Sequence, residues 1–248
     1  FIDTTQTSPP DTPTIRIFIG ILTVADRYET RNLLRLAYGT QSSIGAQVDV
    51  RFMLCNLTTD DQRVLVLLEI IRYNDIIIMD CRENMEDGKT YTYFSSLPRL
   101  LASYSTHPPY HYVAKVDDDT YVRLQNLVDS LNPLPRYDVY YGFRANRPEA
   151  PFMTGPCYLV SWDIVEWISI SDIPRNNSKG PEDLIFGEWM RDGNRGKNYF
   201  DVAGKIYDYP GTKQHSSREL WPGTVAIHRL KTPERWIKVL NYFNFKSN

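Results

Sequence analysis

His111-Tyr112-Val113-Ala114-Lys115-Val116-Asp117-Asp118-Asp119-Thr120-Tyr121-Val122 is a mostly apolar run of strand character that ends in three consecutive carboxylates. Like charges a few ångströms apart raise one another's pKa, so this density calls for a cation close by. Hard oxygen ligands suit Mg²⁺ or Mn²⁺. In an α/β sheet, ligands bind at the carboxyl ends of the strands. One reading is a metal-dependent sugar-nucleotide site, with one aspartate on the metal that bridges a diphosphate and a neighbour at the nucleoside. A second is an aspartate-nucleophile phosphotransferase. That signature wants Thr or Val four residues after the first Asp, where Tyr121 stands, and Lys115 interrupts the apolar run; it ranks below the first. The plain alternative is an acidic turn capping a helix that starts near Thr120.

Upstream, Ile15–Thr23 reads as a buried first strand, apolar almost throughout, as parallel-sheet strands are. A helix follows over Arg31–Gly39, with Leu33, Leu34, Ala37 and Tyr38 on one face. Arg31 and Arg35 project together from it, either as a solvated basic edge or as a brace for the acidic loop or a diphosphate. Val48–Leu54 is a second strand. Thr58-Thr59-Asp60 caps a helix to about Arg72, with Val64, Leu67, Leu68 and Ile71 expected inward. Asp75–Asp80 is a short third strand. A turn over 84–90 leads into a helix carrying Tyr91, Phe94, Leu97 and Leu101, which Pro98 should bend or break. Lys89 at its start opposes the helix dipole and so hints at an anionic partner. With the strand ending at Asp117, the order is β–α–β–α–β–α–β, the pattern of a mostly parallel sheet.

Downstream, Leu124–Leu131 is a helix and Tyr137–Phe143 a strand. A loop over 150–156 precedes a short strand, Cys157–Ser161, and a helix, Trp162–Ile170. A helix over Pro181–Met190 has Pro first and acids in its first turn, which its dipole favours. Thr224–His228 is a late strand. His228 reads as a hydrogen-bonded histidine at a strand end or as a borderline metal ligand.

The 248 residues suit one domain, and 42% hydrophobic content is ample for a core. A net charge of −2 gives no polyanion-binding surface, which argues against a nucleic-acid partner. The chain's 17 tyrosines are compatible with carbohydrate stacking, although core packing explains most aromatics. Cys55, Cys81 and Cys157 form no C-x-x-C pair, allow at most one disulfide and leave the redox compartment open. The sequons Asn56-Leu57-Thr58 and Asn176-Asn177-Ser178 weakly favour a secretory lumen. No run of about eighteen apolar residues exists to span a membrane. Phe1–Thr14, rich in Thr, Ser and Pro, reads as a linker or stem remnant.

In combination the motifs resemble the inverting β-1,3-glycosyltransferases related to β-1,3-galactosyltransferases, β-1,3-N-acetylglucosaminyltransferases and Fringe. Arg31–Tyr38 is similar to that family's R-N-x-[IL]-R-x-[TA]-W helix. Glu69–Asp80 with Lys89-Thr90 resembles its E-x-x-x-Y-x-D-[IV]-[IL] strand and K-T. Val113–Val122 resembles K-x-D-D-D-x-[FY]-[VI], Phe152–Ser161 resembles [YF]-x-x-G-x-x-Y-[VL]-[VL]-S, and Glu182–Gly187 resembles E-D-V-x-x-G. No single motif decides; the ordered set over about residues 15–229 is specific.

The resemblance implies a GT-A α/β fold, with a Rossmann-like, mostly parallel central sheet flanked by helices and an irregular acceptor-side half. One catalytic domain would span 15–248, its nucleotide half about 15–123 and its acceptor half about 124–248. It implies a UDP-sugar donor (galactose ahead of N-acetylglucosamine), Mn²⁺ or Mg²⁺, a glycan or glycoprotein acceptor and a β-1,3 linkage. It also implies a Golgi or other secretory lumen, with a single type II membrane anchor outside this chain. Asp119 and His228, with Asp117, would hold the metal. Asp117 and Asp118 would sit against the nucleotide, and Arg31, Arg35 and Lys89 would hold the diphosphate side. Asp183 would be the general base. Glu182, Tyr158, Phe143, Arg144 and Trp221 are acceptor-side candidates. Tyr38 for Trp, Leu184 for Val, Pro156 after Gly155 and Met153 for Cys depart from the family pattern and resemble fungal or plant-like members. These departures weaken the transfer of substrate identity and of the family's disulfide pattern. The rival is a silent carbohydrate- or UDP-binding protein that keeps the fold.

Overall fold

The computed structural model describes residues 15–43, 45–101, 107–145, 151–212 and 216–245. The linker reading of Phe1–Thr14 lies outside the described residues. The first half follows the expected alternation: β1 (Ile15–Leu22), α1 (Tyr28–Gly39), β2 (Ala46–Leu54), α2 (Asp60–Tyr73), β3 (Ile76–Ile78), α3 (Lys89–Leu100) and β4 (Tyr112–Asp117). There follow β5 (Tyr121–Val122), α4 (Leu124–Leu131), β6 (Val139–Arg144), β7 (Met153–Ser161), α5 (Trp162–Ile170), α6 (Asp172–Asn176), α7 (Glu182–Asp192) and β8 (Asn198–Asp201). The chain closes with β9 (Ile206–Asp208), β10 (Ala226–His228), α8 (Pro233–Leu240) and a π-helical turn, Asn241–Phe245. β5, α6, β8, β9, α8 and the π-helical turn were not foreseen from the sequence.

Seven strands form the main sheet in the order β3-β2-β1-β4-β7-β6-β8. β1 pairs in parallel with β2 and β4, and Leu22 lies opposite Asp117. β7 runs antiparallel to β4 and β6. The apolar runs of β1 and β4 are buried on both faces, as sheet-centre strands must be. One core cluster unites α1, α2 and α4 residues with one sheet face; α3, α5 and α7 residues share another. A second sheet, β5-β10-β9, continues from the end of β4.

Three local readings are corrected. Val64, Leu67, Leu68 and Ile71 of α2 face outward, while Val66 and Glu69 are buried. The Glu69 carboxylate fixes this rotation. It accepts from Arg31 Nε at 3.0 Å and Nη2 at 2.5 Å, and from Arg35 Nη1 at 2.7 Å. α3 runs through Pro98 to Leu100, so the proline, in the last turn, does not break it, and Leu101 N–H still closes on the Leu97 carbonyl. β7 begins at Met153, four residues before the expected start at Cys157, where it pairs with Arg144 beyond an irregularity in β6.

The Arg31/Arg35/Glu69 group is extended by Asp75, which takes Arg35 Nε and Nη2 at 2.8 and 2.9 Å. Arg31 also donates to the carbonyls of Val24 and Ala25, at 2.6 and 2.8 Å, and so pins the loop after β1. Burial works against the Glu69 charge, but the hydrogen bonds from Arg31 and Arg35 win and hold its carboxyl below the ordinary 4.5. A depressed carboxylate contributes stability above its unfolded pKa and loses it as pH falls through the folded value. Glu69→Gln is therefore expected to lower Tm at pH 7 by roughly 10 °C, since removing one partner of a buried pair costs about 3–5 kcal/mol. The gap to wild type should narrow below about pH 4.5. A pH series of thermal melts checks both; a gap that widens in acid contradicts the assignment.

Candidate active site

The Asp117–Asp119 turn is where the two sheets meet. Thr120 N–H closes it on the Asp117 carbonyl at 3.1 Å, and β5 then leaves to pair with β10. α4 starts only at Leu124, so the aspartates cap no helix.

The three carboxylates point to three different partners. Asp117 Oδ1 accepts from the buried Lys115 Nζ at 2.7 Å. Asp118 accepts from Thr23 Oγ1 at 2.7 Å and Arg27 Nη1 at 2.8 Å. Asp119 Oδ1 lies 3.2 Å from His228 Nε2. Burial pushes Asp118 above the ordinary carboxylate range, with Thr23 and Arg27 opposing it. Asp119 is half-buried, yet its hydrogen bond to His228 holds it below that range.

His228 ends β10 opposite Asp208, the last residue of β9. Its Nδ1 is 2.6 Å from Asp208 Oδ1, and Ser216 Oγ donates to the other Asp208 oxygen at 2.5 Å. Burial lowers the His228 pKa, but the Asp119 and Asp208 hydrogen bonds outweigh it and raise it to about 9. Asp208 orients the imidazole so that Nε2 faces Asp119. No motif pointed to Asp208; the strand register alone brings it there.

Asp117, Asp119 and His228 each offer one ligand atom, all within 4.8 Å of one another. Two carboxylates and an imidazole held by a further carboxylate form a donor set that fits Mn²⁺ or Mg²⁺. The cluster faces a cleft of about 990 Å³ that also receives Arg27, Lys89 and Lys231. A smaller pocket of about 250 Å³ lies beyond, lined by Phe143, Asp183, Asp208 and Arg229. His228 lines both.

Asp183 stands in the first turn of α7. Its Oδ2 accepts from Gly155 N–H at 3.2 Å and its Oδ1 from Leu184 N–H at 2.8 Å. The Gly155 carbonyl, on the other side, accepts from Lys115 Nζ at 2.7 Å. Lys115 also donates to Glu182 Oε2 at 3.0 Å, and Tyr158 OH donates to Glu182 Oε1 at 2.5 Å. A buried strut thus runs from Asp117 through Lys115 to the first turn of α7. Burial pushes the Glu182 carboxyl above its ordinary value and Asp117 adds to this, against the pull of Lys115. Gly187 lets α7 approach closely, because a Cβ there would overlap Phe152.

Several expected roles do not fit these positions. Arg31 and Arg35 do not line the cleft; the carboxylates of Glu69 and Asp75 take up their guanidinium groups. Lys89 lines it, but its ammonium is held by the Thr23 carbonyl at 2.6 Å and by Glu83. Arg31 and Lys89 fasten the loop after β1, and Arg35 ties α1 to Glu69 and Asp75. Of the acceptor-side candidates only Phe143 lines the smaller pocket. Glu182 is locked to Lys115 and Tyr158, and Tyr158 is fully buried in the core. Trp221 packs on the core and donates to the Gly204 carbonyl at 2.9 Å, and Arg144 is exposed outside the pocket. Arg27 and Lys231, the cleft's more exposed cations, were not singled out from the sequence.

Residues 29–148 match the family model described as Galactosyltransferase. The chain is 24% identical over 286 aligned positions to "Beta-1,3-galactosyltransferase pvg3" of Schizosaccharomyces pombe, covering 92% of this chain and 74% of that protein. It is 24% identical over 204 positions to "Hydroxyproline O-galactosyltransferase GALT2" of Arabidopsis thaliana, covering 73% of this chain but only 29% of that protein. Among solved structures, the bifunctional glycosyltransferase WbbM in its apo form is similar in fold alone, with a TM-score of 0.52, 10% identity and coverage of 97% of this chain and 52% of WbbM. The chain has the α/β GT-A glycosyltransferase fold, and over residues 29–148 it is similar to the galactosyltransferase family.

Proposed function

We propose that the protein is an inverting, metal-dependent transferase that moves a hexose from a UDP-sugar to a glycan or glycoprotein hydroxyl, forming a β-1,3 linkage, with galactose ahead of N-acetylglucosamine as the donor sugar. One observation carries this reading. The Asp117/Asp119/His228 cluster lines the large cleft, His228 also lines the small pocket, and Asp183 lines that pocket. Donor in the cleft and acceptor in the pocket would meet at His228.

Asp117, Asp119 and His228 would hold a divalent cation, Mn²⁺ ahead of Mg²⁺, which would supply charge to offset the leaving diphosphate. Arg27 and Lys231 face the same cleft and add to that offset. Asp118, fixed by Thr23 and Arg27, stands at the nucleoside side. Asp183 takes the acceptor hydroxyl proton, its carboxylate aimed by the two backbone N–H groups. The hydroxyl oxygen bonds to the anomeric carbon as the bond to UDP breaks, and the carbon inverts. The Cys55–Cys81 disulfide supports an oxidising secretory lumen as the site of action. Among the described residues no helix is long and apolar enough to cross a membrane.

A UDP-release assay with Mn²⁺ and a panel of UDP-sugars tests the reaction class. Release from one sugar names the donor, whereas UDP binding without release from any sugar and acceptor favours the silent binder. Asp183→Asn is expected to cut transfer by at least about 10²-fold while UDP–Mn²⁺ affinity is retained; near-normal turnover places the base elsewhere. Asp119→Ala should lose the Mn²⁺-dependent part of UDP binding, and unchanged affinity removes it from the metal site.

The strut gives a separate stability test. Lys115→Met leaves Asp117 and Glu182 without their buried cation and should cost about 3–5 kcal/mol. Adding Glu182→Gln should recover part of the lost Tm, because it removes one uncompensated charge. Strictly additive losses in the double variant contradict the coupling.

A further inference from the structure

α2 turns its apolar side to water. Val64, Leu65, Leu67, Leu68 and Ile71 are 54–72% exposed, and Leu36 on α1 is 71% exposed. Val64, Leu67, Leu68 and Ile71 follow the i, i+3, i+4, i+7 spacing and form one stripe along the helix. The buried Glu69 ion pair prevents the helix from rolling this stripe inward. At roughly 100 Å² each, the five α2 side chains expose about 500 Å², at the upper end of what one monomer shows. With a charged rim they approach the roughly 800 Å² that each partner of a stable pair buries.

We propose that a second copy of this chain covers this stripe, α2 packing antiparallel on α2 about a two-fold axis. Such a closed contact needs a self-complementary patch, and α2 is one. Its stripe is centred between Leu67 and Leu68, so Leu67 meets Leu68 and Val64 meets Ile71 across the axis. Asp61 and Arg72 lie about three helical turns apart and therefore on the same flank of the stripe, at opposite ends. An antiparallel two-fold keeps flanks and exchanges ends, so each Asp61 lies beside the second copy's Arg72. Both side chains are exposed, and neither has an ion-pair partner among the described residues. A parallel pairing sets Asp61 against Asp61. An anionic lipid surface is disfavoured by Asp60 and Asp61 at the helix start. No α2 residue lines the cleft or the smaller pocket, so the pairing leaves both open.

Sedimentation equilibrium of the chain from about 1 to 100 µM tests this. The expected result is a reversible monomer–dimer equilibrium that Leu67→Lys abolishes. Asp61→Arg and Arg72→Asp, both at exposed positions, should each weaken self-association by about tenfold with Tm lowered by only a few degrees. The two single variants mixed together should dimerise like wild type, because both opposite-charge pairs re-form in the mixed dimer; the double variant should do so alone. A chain that stays monomeric throughout, with or without binding to anionic vesicles, overturns the proposal. So does a dimer indifferent to Leu67→Lys, or single variants that fail to rescue each other.

Discussion

The site depends on giving each of three adjacent carboxylates its own partner. Left together, Asp117, Asp118 and Asp119 would disfavour one another's ionisation. The tight turn splays them instead toward Lys115 on their own strand, toward Thr23 and Arg27 after β1, and toward His228 at the end of β10. Each partner comes from a different part of the chain. Convergence at the carboxyl ends of β1 and β4 therefore turns a local electrostatic liability into a fixed site. It also ties the two sheets together, since β5 leaves this turn to pair with β10, which carries His228.

Much of the surrounding architecture serves this arrangement from a distance. Arg31 and Lys89 are almost fully buried, and both spend hydrogen bonds on carbonyls of the loop after β1. That loop carries Thr23 and Arg27 to Asp118. The strut of Lys115, Gly155 and Glu182 sets the first turn of α7, and with it Asp183, against the strand that supplies Asp117. Buried charges of this kind persist only when paired and hydrogen-bonded, and here the pairing fixes geometry between elements.

The βαβ alternation, the carboxylate turn and the late His228 strand were legible because they are local patterns. An apolar run ending in charge reads the same in the sequence and in the sheet. The rotation of α2 was not legible. Its most hydrophobic face lies outward because a buried ion pair with two arginines from α1 outweighs the apolar moment, and that contact spans 38 residues. For the same reason Arg31 and Lys89, at family-motif positions, brace a loop, while Arg27 and Lys231 present the cleft's more exposed charges. Asp208 was invisible for another reason. It lies 20 residues from His228 with no motif around it, and only the parallel register of β9 and β10 joins the pair.

The most direct test of the central claim is an electron paramagnetic resonance titration of Mn²⁺ into the chain in the presence of UDP, with pulsed detection of nitrogen coupling. One bound Mn²⁺ per chain, coupled to an imidazole nitrogen that disappears in His228→Ala, is the predicted result. No tightly bound Mn²⁺, or a bound ion without histidine coupling, would contradict the account of the Asp117/Asp119/His228 cluster.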